Sequence, residues 1–335
     1  MVRTAEASAR GRNPYRFEGP GYGTGNRLLS YPRVTTLLHV SDIHCGPPFL
    51  NHVAEALVRL SASLEPDVLV LSGDFTQRAK PHQFQQARAL IGMLPQVPRV
   101  VVPGNHDVPL YRIWERLTDP YRAYREHLGA EREAVLQLPG LLVVALDSTS
   151  PRRTITRGRI TRRQVEWAVA QLERAGPEDA RIVVAHHHFV EAPDALSDRT
   201  MLGGDMALRA FVQARVDLVL GGHLHRAFIG DSLDFFFEGP RDRGAIVVQA
   251  GTATSRRGRG RERERNSFNL IRIRGTWIGI THYLYFEDEN EFSPISHHIF
   301  PRAGHRLGRK SGDVLAALGE HVAGVIGTRP DPDAD

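Results

Sequence analysis

The chain has 335 residues, 41% of them hydrophobic and 24% charged, with a formal net charge of +5. Its Leu, Ile and Val content excludes wholesale disorder, and apolar runs such as Val68–Leu71 and Leu141–Leu146 fall far short of the ~18 residues that a bilayer-spanning helix requires. The basic excess is almost all arginine, Lys80 and Lys310 being the only lysines; a guanidinium fork grips two phosphate oxygens at once, which points to anionic partners.

Residues 1–33 carry Arg3, Arg10, Arg12, Arg16, Arg27 and Arg33 among Gly, Pro, Ser and Thr. With no apolar core, this stretch reads as a flexible tail or an over-extended gene start and not as a secretion signal. The single cysteine, Cys45, cannot form an intrachain disulfide, so a cytoplasmic location is expected. From residue 34 apolar runs alternate with amphipathic ones. Strands are predicted at Thr35–Ser41, Asp67–Ser72, Arg99–Val102, Leu141–Asp147, Arg181–Ala185 and Asp217–Leu220. Helices are predicted at Leu50–Ser63, Pro81–Leu94, Leu110–Leu128, Thr161–Ala175 and Met206–Ala214. In the fourth, Val165, Ala168, Val169 and Leu172 recur at the spacing of one helical face.

After residue 226 the texture changes. Ala227–Phe237, Ala245–Ala250, Asn269–Arg274 and Trp277–Phe286 read as successive strands with no room for helices between them, hence an antiparallel sheet packed on the first. The expected organisation is a tail over 1–33, one α/β domain over 34–300, and an extension over 301–335 in which 311–326 forms a short helix.

Five short motifs sit where apolar runs end: Ser41-Asp42-Ile43-His44, Ser72-Gly73-Asp74, Gly104-Asn105-His106-Asp107, His186-His187-His188 and Gly222-His223-Leu224-His225. Strand C-termini in an open α/β sheet share one edge, where ligand sites collect, so residues far apart in sequence converge. Asp, His and Asn offer oxygen and imidazole ligands without thiolate, a set suited to manganese, iron, zinc or cobalt. Within Asp42-Ile43-His44 and His223-Leu224-His225, an extended backbone would point residues i and i+2 the same way. Seven candidate ligands exceed one tetrahedral ion and suffice for two divalent ions about 3.5–4 Å apart sharing a carboxylate.

In this order, D-x-H, G-D, G-N-H-D, H and G-H-x-H over residues 42–225, the motifs resemble the calcineurin-like metallophosphoesterase superfamily. The resemblance implies a four-layer α/β-β/α sandwich with a dinuclear metal centre. It places Asp42, His44 and His225 on one metal, and Asn105, His223 and a histidine of the 186–188 run on the other. Asp74 would bridge, and His106 would face the substrate phosphate. Strand register favours His186 within the run, with His187 the alternative. The implied chemistry is hydrolysis of a phosphate ester by a metal-activated hydroxide. A protonated His106 would assist the leaving oxygen, and Asp107 would orient it and keep its pKa high.

The remaining histidines, His39, His52, His82, His127 and His282, match no motif and read as core or surface residues, and Cys45 reads as structural. The segment Arg256–Arg265 holds six arginines and two glutamates. It is either a solvated loop whose charges partly cancel or a phosphate-binding rim. The loop Ala250–Thr254 before it resembles that of superfamily members acting on phosphodiesters, and Phe235–Phe237 are candidates for a pocket wall. The function expected is a phosphodiesterase acting on a small phosphate ester of the cyclic nucleotide or glycerophosphodiester class. The alternatives are a nuclease that holds nucleic acid through the arginines, a phosphomonoesterase, and a silent metal-binding scaffold. Intact motifs argue against the last.

Overall fold

The computed structural model describes residues 34–129, 131–153, 155–191, 199–235 and 244–305. The expected tail, the helix at 311–326 and the side chains of Phe236 and Phe237 lie outside the described residues. In chain order the elements are β1 (Thr35–Val40), α1 (Asn51–Ser63), β2 (Val68–Leu71), α2 (Pro81–Met93), β3 (Arg99–Val101), α3 (Ile113–Thr118) and α4 (Arg122–Leu128). They continue as β4 (Ala134–Leu138), β5 (Leu141–Ala145), α5 (Arg162–Leu172), β6 (Ala180–Val184), α6 (Gly204–Gln213), β7 (Leu218–Gly221) and β8 (Phe228–Asp231). The last are β9 (Ile246–Gln249), β10 (Ser267–Arg274), β11 (Trp277–Phe286) and β12 (Glu291–Pro301).

Local chemistry accounts for the helix ends. At α5, Gln164 N–H donates to Thr161 Oγ1 (3.3 Å) and Thr161 N–H to Gln164 Oε1 (2.9 Å), a reciprocal cap that satisfies two otherwise orphaned donors. Pro81 opens α2, where its missing N–H costs nothing. The single helix expected over Leu110–Leu128 is instead α3 and α4. Pro120 lacks a donor and disfavours helical geometry at Asp119, so the chain breaks there and restarts at Arg122.

The strands form two six-stranded mixed sheets, in orders β12-β11-β10-β1-β2-β3 and β4-β5-β6-β7-β9-β8. Side-chain alternation with period two builds the layers. Leu37, Val68 and Val70 of the first sheet meet Leu141, Val143 and Val184 of the second in a buried inter-sheet core. The intervening Leu38, Leu69 and Leu71 face outward onto Val53, Leu57 and Phe84 of α1 and α2. Leu142, Val144 and Val183 face the opposite way, onto Val165, Leu172 and Phe211 of α5 and α6. Helices, sheet, sheet and helices therefore stack as the four-layer α/β-β/α sandwich that the motif order implies. No helix among the described residues is long and apolar enough to cross a membrane.

Two expectations are corrected. The late strands do not make a sheet of their own: β10, β11 and β12 extend the first sheet antiparallel from β1, whereas β9 runs parallel to β7 in the second. Within the described part of Ala227–Phe237, only Phe228–Asp231 is strand. Asp231 Oδ1 then accepts from Leu233 N–H at 2.9 Å and turns the chain into a short 3-10 segment. Strands β4 and β12 went unread. The first is only partly buried and directly follows the charged Glu131-Arg132-Glu133, and the second carries Pro294, which an outermost strand tolerates because its donor is not needed there.

Beyond residue 300 the packed body continues to Arg302, which is buried and ties the two sheets together. Its guanidinium donates to the carbonyls of Glu178 (2.9 Å), Asp179 (2.8 Å) and Gly275 (2.9 Å) and pairs with the buried Asp217. Removing one partner of such a pair leaves an uncompensated charge. Arg302→Met is therefore expected to cost about 3–5 kcal/mol in urea unfolding; a loss below about 1 kcal/mol would show that the clamp is a surface-like contact.

Candidate metal centre

The five motif loops leave the C-terminal ends of β1, β2 and β3 in one sheet and β6 and β7 in the other, so the site straddles two sheet edges instead of one. Backbone bonds stitch them: Asp42 N–H to the Gly73 carbonyl (3.0 Å), His44 N–H to Asp74 (2.9 Å) and Gly222 N–H to His186 (3.0 Å). His223 N–H donates to Asp42 Oδ2 at 2.9 Å, joining the sheets directly.

Close approach explains two of the motif glycines. A Cβ on Gly104 would lie 2.1 Å from Asp74 Oδ1 and 2.4 Å from the Asp74 backbone nitrogen. On Gly222 it would lie 1.9 Å from Ser41 Oγ and 2.4 Å from Asp42 Oδ2. Only a residue without a side chain lets these loops touch.

The side chains gather into two adjoining clusters. Asp42, His44, Asp74 and His225 form one: His225 Nε2 lies 3.1 Å from Asp42 Oδ1 and 3.0 Å from His44 Nε2. His186, His187 and His223 form the other, with Asn105 Oδ1 2.9 Å from His223 Nδ1. Asp74 lies between, Oδ2 3.6 Å from His44 Nε2 and Oδ1 3.4 Å from His186 Nε2. The i, i+2 pairs converge by a different route from the one expected. Asp42, His44, Asp74, His223 and His225 all have left-handed backbones, φ 52° to 73°, so the loops curl and do not stay extended. Such conformations cost about 1–3 kcal/mol each and persist where the surroundings over-determine them.

The cluster chemistry fits divalent cations. Asp42 and Asp74 are 0% and 1% exposed, yet Asp42 Oδ1, Asp74 Oδ2 and His186 Nε2 have no hydrogen-bond partner. Buried anionic oxygen left unpartnered is costly, and a cation relieves it. Burial opposes ionisation of both acids, but the neighbouring histidines prevail and hold them well below the usual carboxylate range. Burial also pulls His44 down to about 4 and His223 well below the ordinary imidazole value; both are neutral and ligand-ready. His186 Nδ1–H donates to the Ser72 carbonyl at 2.7 Å, and His225 Nδ1–H to the Arg257 carbonyl at 3.0 Å. Each bond orients its ring with Nε2 toward the cluster; at His186 burial opposes the charge, but Asp74 prevails and raises the pKa to about 9, so a cation there would take the place of a proton. His187 Nδ1 is engaged with Ser148 Oγ at 2.8 Å, and the nitrogen facing Asp74 is that of His186.

The surroundings of His106 differ from expectation. Asp107 accepts from the backbone N–H of Thr76 (2.9 Å), Gly104 (2.9 Å) and Phe75 (3.2 Å), so its carboxylate pins the loops together. The His106 ring is held instead by the Gln77 carbonyl, 2.8 Å from Nδ1. Burial outweighs the Asp74 charge and lowers the His106 pKa, so the protonated imidazole expected from Asp107 is not what the fold favours. Its Nε2 accepts from Arg257 Nη1 at 3.3 Å, and the same Nη1 donates to Gln77 Oε1 at 2.9 Å. Arg257 came from the flagged arginine segment; nothing in the sequence marked Gln77.

Part of the segment Arg256–Arg265 faces the site. Arg257 and Arg259 line a cavity of about 400 Å³ together with Asn105, His106, His223 and His225. Glu262 is not a solvated charge. It is buried and accepts from Ala227 N–H (2.7 Å) and Ser267 Oγ (2.6 Å), which anchors the segment. His39 is a core histidine, its Nε2 2.9 Å from Ser72 Oγ. Cys45 is wholly buried and its thiol is pushed up to about 12, by burial first and by the Asp107 charge second.

Residues 35–227 match the model of the calcineurin-like phosphoesterase family. The chain is 31% identical over 170 residues to a probable cyclic nucleotide phosphodiesterase of a Synechococcus species, covering 49% of this chain and 60% of that protein. It is 28% identical over 214 residues to a cAMP/cGMP dual specificity phosphodiesterase of Mycobacterium tuberculosis, covering 59% and 64%. The chain thus spans about three-fifths of the length of these relatives. Among solved structures, a purple acid phosphatase from yellow lupin (Lupinus luteus) superposes with a TM-score of 0.62 at 12% identity, over 81% of this chain and 54% of that one, a likeness of fold.

Proposed function

Because the chain belongs to the calcineurin-like phosphoesterase family, we propose that it hydrolyses small phosphodiesters with two divalent ions. One ion would be held by Asp42, His44 and His225, the other by Asn105, His186 and His223, with Asp74 shared. The observation that carries this reading is Asp74 itself: a buried carboxylate whose two oxygens face histidines of different clusters, one of them without a hydrogen-bond partner. Divalent ions at such a pair supply Lewis-acid charge and a hydroxide near neutral pH.

The chain's own residues do the rest. The cavity presents His106 and Arg257 beside the candidate ligands, where they can bind non-bridging phosphoryl oxygens. Gln77 orients both, through its carbonyl to His106 and its side chain to Arg257. A neutral His106 whose Nδ1–H is committed to Gln77 serves as a positioned acceptor or relay at Nε2. Ser41 donates to Asp42 Oδ2 at 2.6 Å, which holds that carboxylate's other oxygen toward His225. The substrates named for the relatives, cyclic nucleotides, and for a more distant one, glycerophosphodiesters, set the substrate class proposed. A lone buried thiol accords with a reducing compartment, the cytoplasm.

The test compares bis(p-nitrophenyl) phosphate with p-nitrophenyl phosphate on protein stripped of metal and reconstituted with manganese. Turnover is expected only with metal and with the diester preferred. Preference for the monoester would move the assignment to a phosphatase, and absence of turnover on both with metal bound would favour a silent scaffold.

A further inference from the structure

The cavity above the candidate metal centre is more basic than a singly charged diester requires. Arg157, Arg199, Arg257 and Arg259 line it, and Asp74 is the one carboxylate among its described lining residues. That carboxylate faces histidines of both clusters. None of the four arginines has a carboxylate partner within ion-pair distance among the described residues. Two have their guanidinium groups held from behind, and a third its backbone. Arg157 Nε donates to the Thr200 carbonyl at 2.8 Å, Arg257 Nη1 to Gln77, and the Arg259 N–H to the His225 carbonyl at 2.9 Å. Glu262 anchors the segment that carries the last two.

Like charges crowded into one cavity repel, and where Asp74 is the one carboxylate among the described lining residues, a ligand can supply the remaining neutralisation. Two divalent ions already offset the charge on an attacked phosphoryl group. A cyclic nucleotide or a glycerophosphodiester brings one negative charge, which Arg257 and the ions already meet, and leaves Arg157, Arg199 and Arg259 without a task. Leu224 is the only aliphatic residue among the described lining residues, so acyl or aryl groups find little there to pack against. Guanidinium forks match phosphoryl oxygens in pairs.

We propose that the preferred substrate is a small phosphodiester bearing a second phosphoryl group, as in a diphosphate diester, with Arg157, Arg199 and Arg259 gripping the second group while the first is attacked beside Arg257. This narrows the substrate class and rests on the reading of the site as a phosphodiesterase. In hydrolysis of a diphosphate diester, the oxygen of one water adds to one phosphorus and the bridging P–O bond breaks. The bridging oxygen leaves with the second phosphoryl group, and the two protons of the water go one to each monoester product.

The test uses the full chain reconstituted with manganese, with ADP-ribose as the diphosphate diester and cyclic AMP as the singly charged one. ADP-ribose is expected to have the higher kcat/KM by about tenfold or more, the worth of one charge-assisted pair. Arg157→Gln and Arg259→Gln are expected to lower kcat/KM for ADP-ribose, chiefly through KM, about tenfold more than for bis(p-nitrophenyl) phosphate. Equal loss on both substrates, a preference for cyclic AMP, or faster cleavage of a single-stranded oligonucleotide than of ADP-ribose would overturn the proposal. If bis(p-nitrophenyl) phosphate is not turned over at all, the phosphodiesterase reading fails separately. Calorimetry on metal-stripped protein then still reads the arginines. Pyrophosphate should bind about tenfold tighter than inorganic phosphate, and Arg259→Gln should erase the difference; equal affinities would overturn the proposal on that ground.

Discussion

Asp74→Asn is expected to lower kcat/KM for bis(p-nitrophenyl) phosphate by about 10³-fold or more, equivalent to ~4 kcal/mol of transition-state stabilisation. The substitution keeps shape and volume. Its carbonyl can still accept the His106 N–H that Asp74 Oδ1 accepts at 2.8 Å. What it removes is the negative charge between two histidine clusters. An amide cannot offer anionic oxygens to both sides, so the arrangement that distinguishes two ions from one is lost. Circular dichroism should show the fold retained. A decrease of less than about tenfold would mean that Asp74 only braces the loops, because bracing is the part that asparagine preserves.

Gly104→Ala is the second large effect and tests the site through its backbone. The added methyl would meet the Asp74 carboxylate and backbone nitrogen well inside contact distance, and a backbone atom cannot swing aside. Loops β2–α2 and β3–α3 must part, carrying Asp74 away from Asn105 and His106. A misplacement of about 1 Å at a catalytic group costs about 10²-fold in rate, and overpacking costs about 1–3 kcal/mol of stability. Gly92→Ala is the control: it lies in α2 with open space where the Cβ would go. That change should leave activity intact and stability equal or up to about 1 kcal/mol higher. Equal behaviour of the two variants in activity and unfolding would show that the loops have slack that their contacts do not reveal.

The site was legible in the sequence because each motif ends an apolar run, and a run of Val and Leu four to six residues long signals a buried strand whatever its partner. Asp42, Asp74, Asn105, His186, His223 and His225 come together accordingly. Strand partnership was not legible. Residue Asn269 pairs with His39 and Ile246 with Leu218, and nothing in run length or alternation names a partner so distant. Strand β12 hid behind Ser293, Pro294 and two histidines, the composition of an outermost strand and not of a core one. The curled backbone at Asp42 and His44 was also invisible: Asp and His adopt left-handed geometry more readily than most side chains but still uncommonly, and the neighbouring loops decide where they do. The pairing of His106 with Gln77 and Arg257 has the same character. It joins three loops, and only Arg257 lay in a segment that its charge had marked.

The central claim is that two ions share one carboxylate, and metal content after reconstitution tests it most directly. Manganese bound per chain, measured by elemental mass spectrometry on full-length protein passed through a desalting column, is expected to be two, falling to one or none in Asp74→Asn. One ion per fully active wild-type chain, or two retained by the variant, would contradict the shared-carboxylate centre.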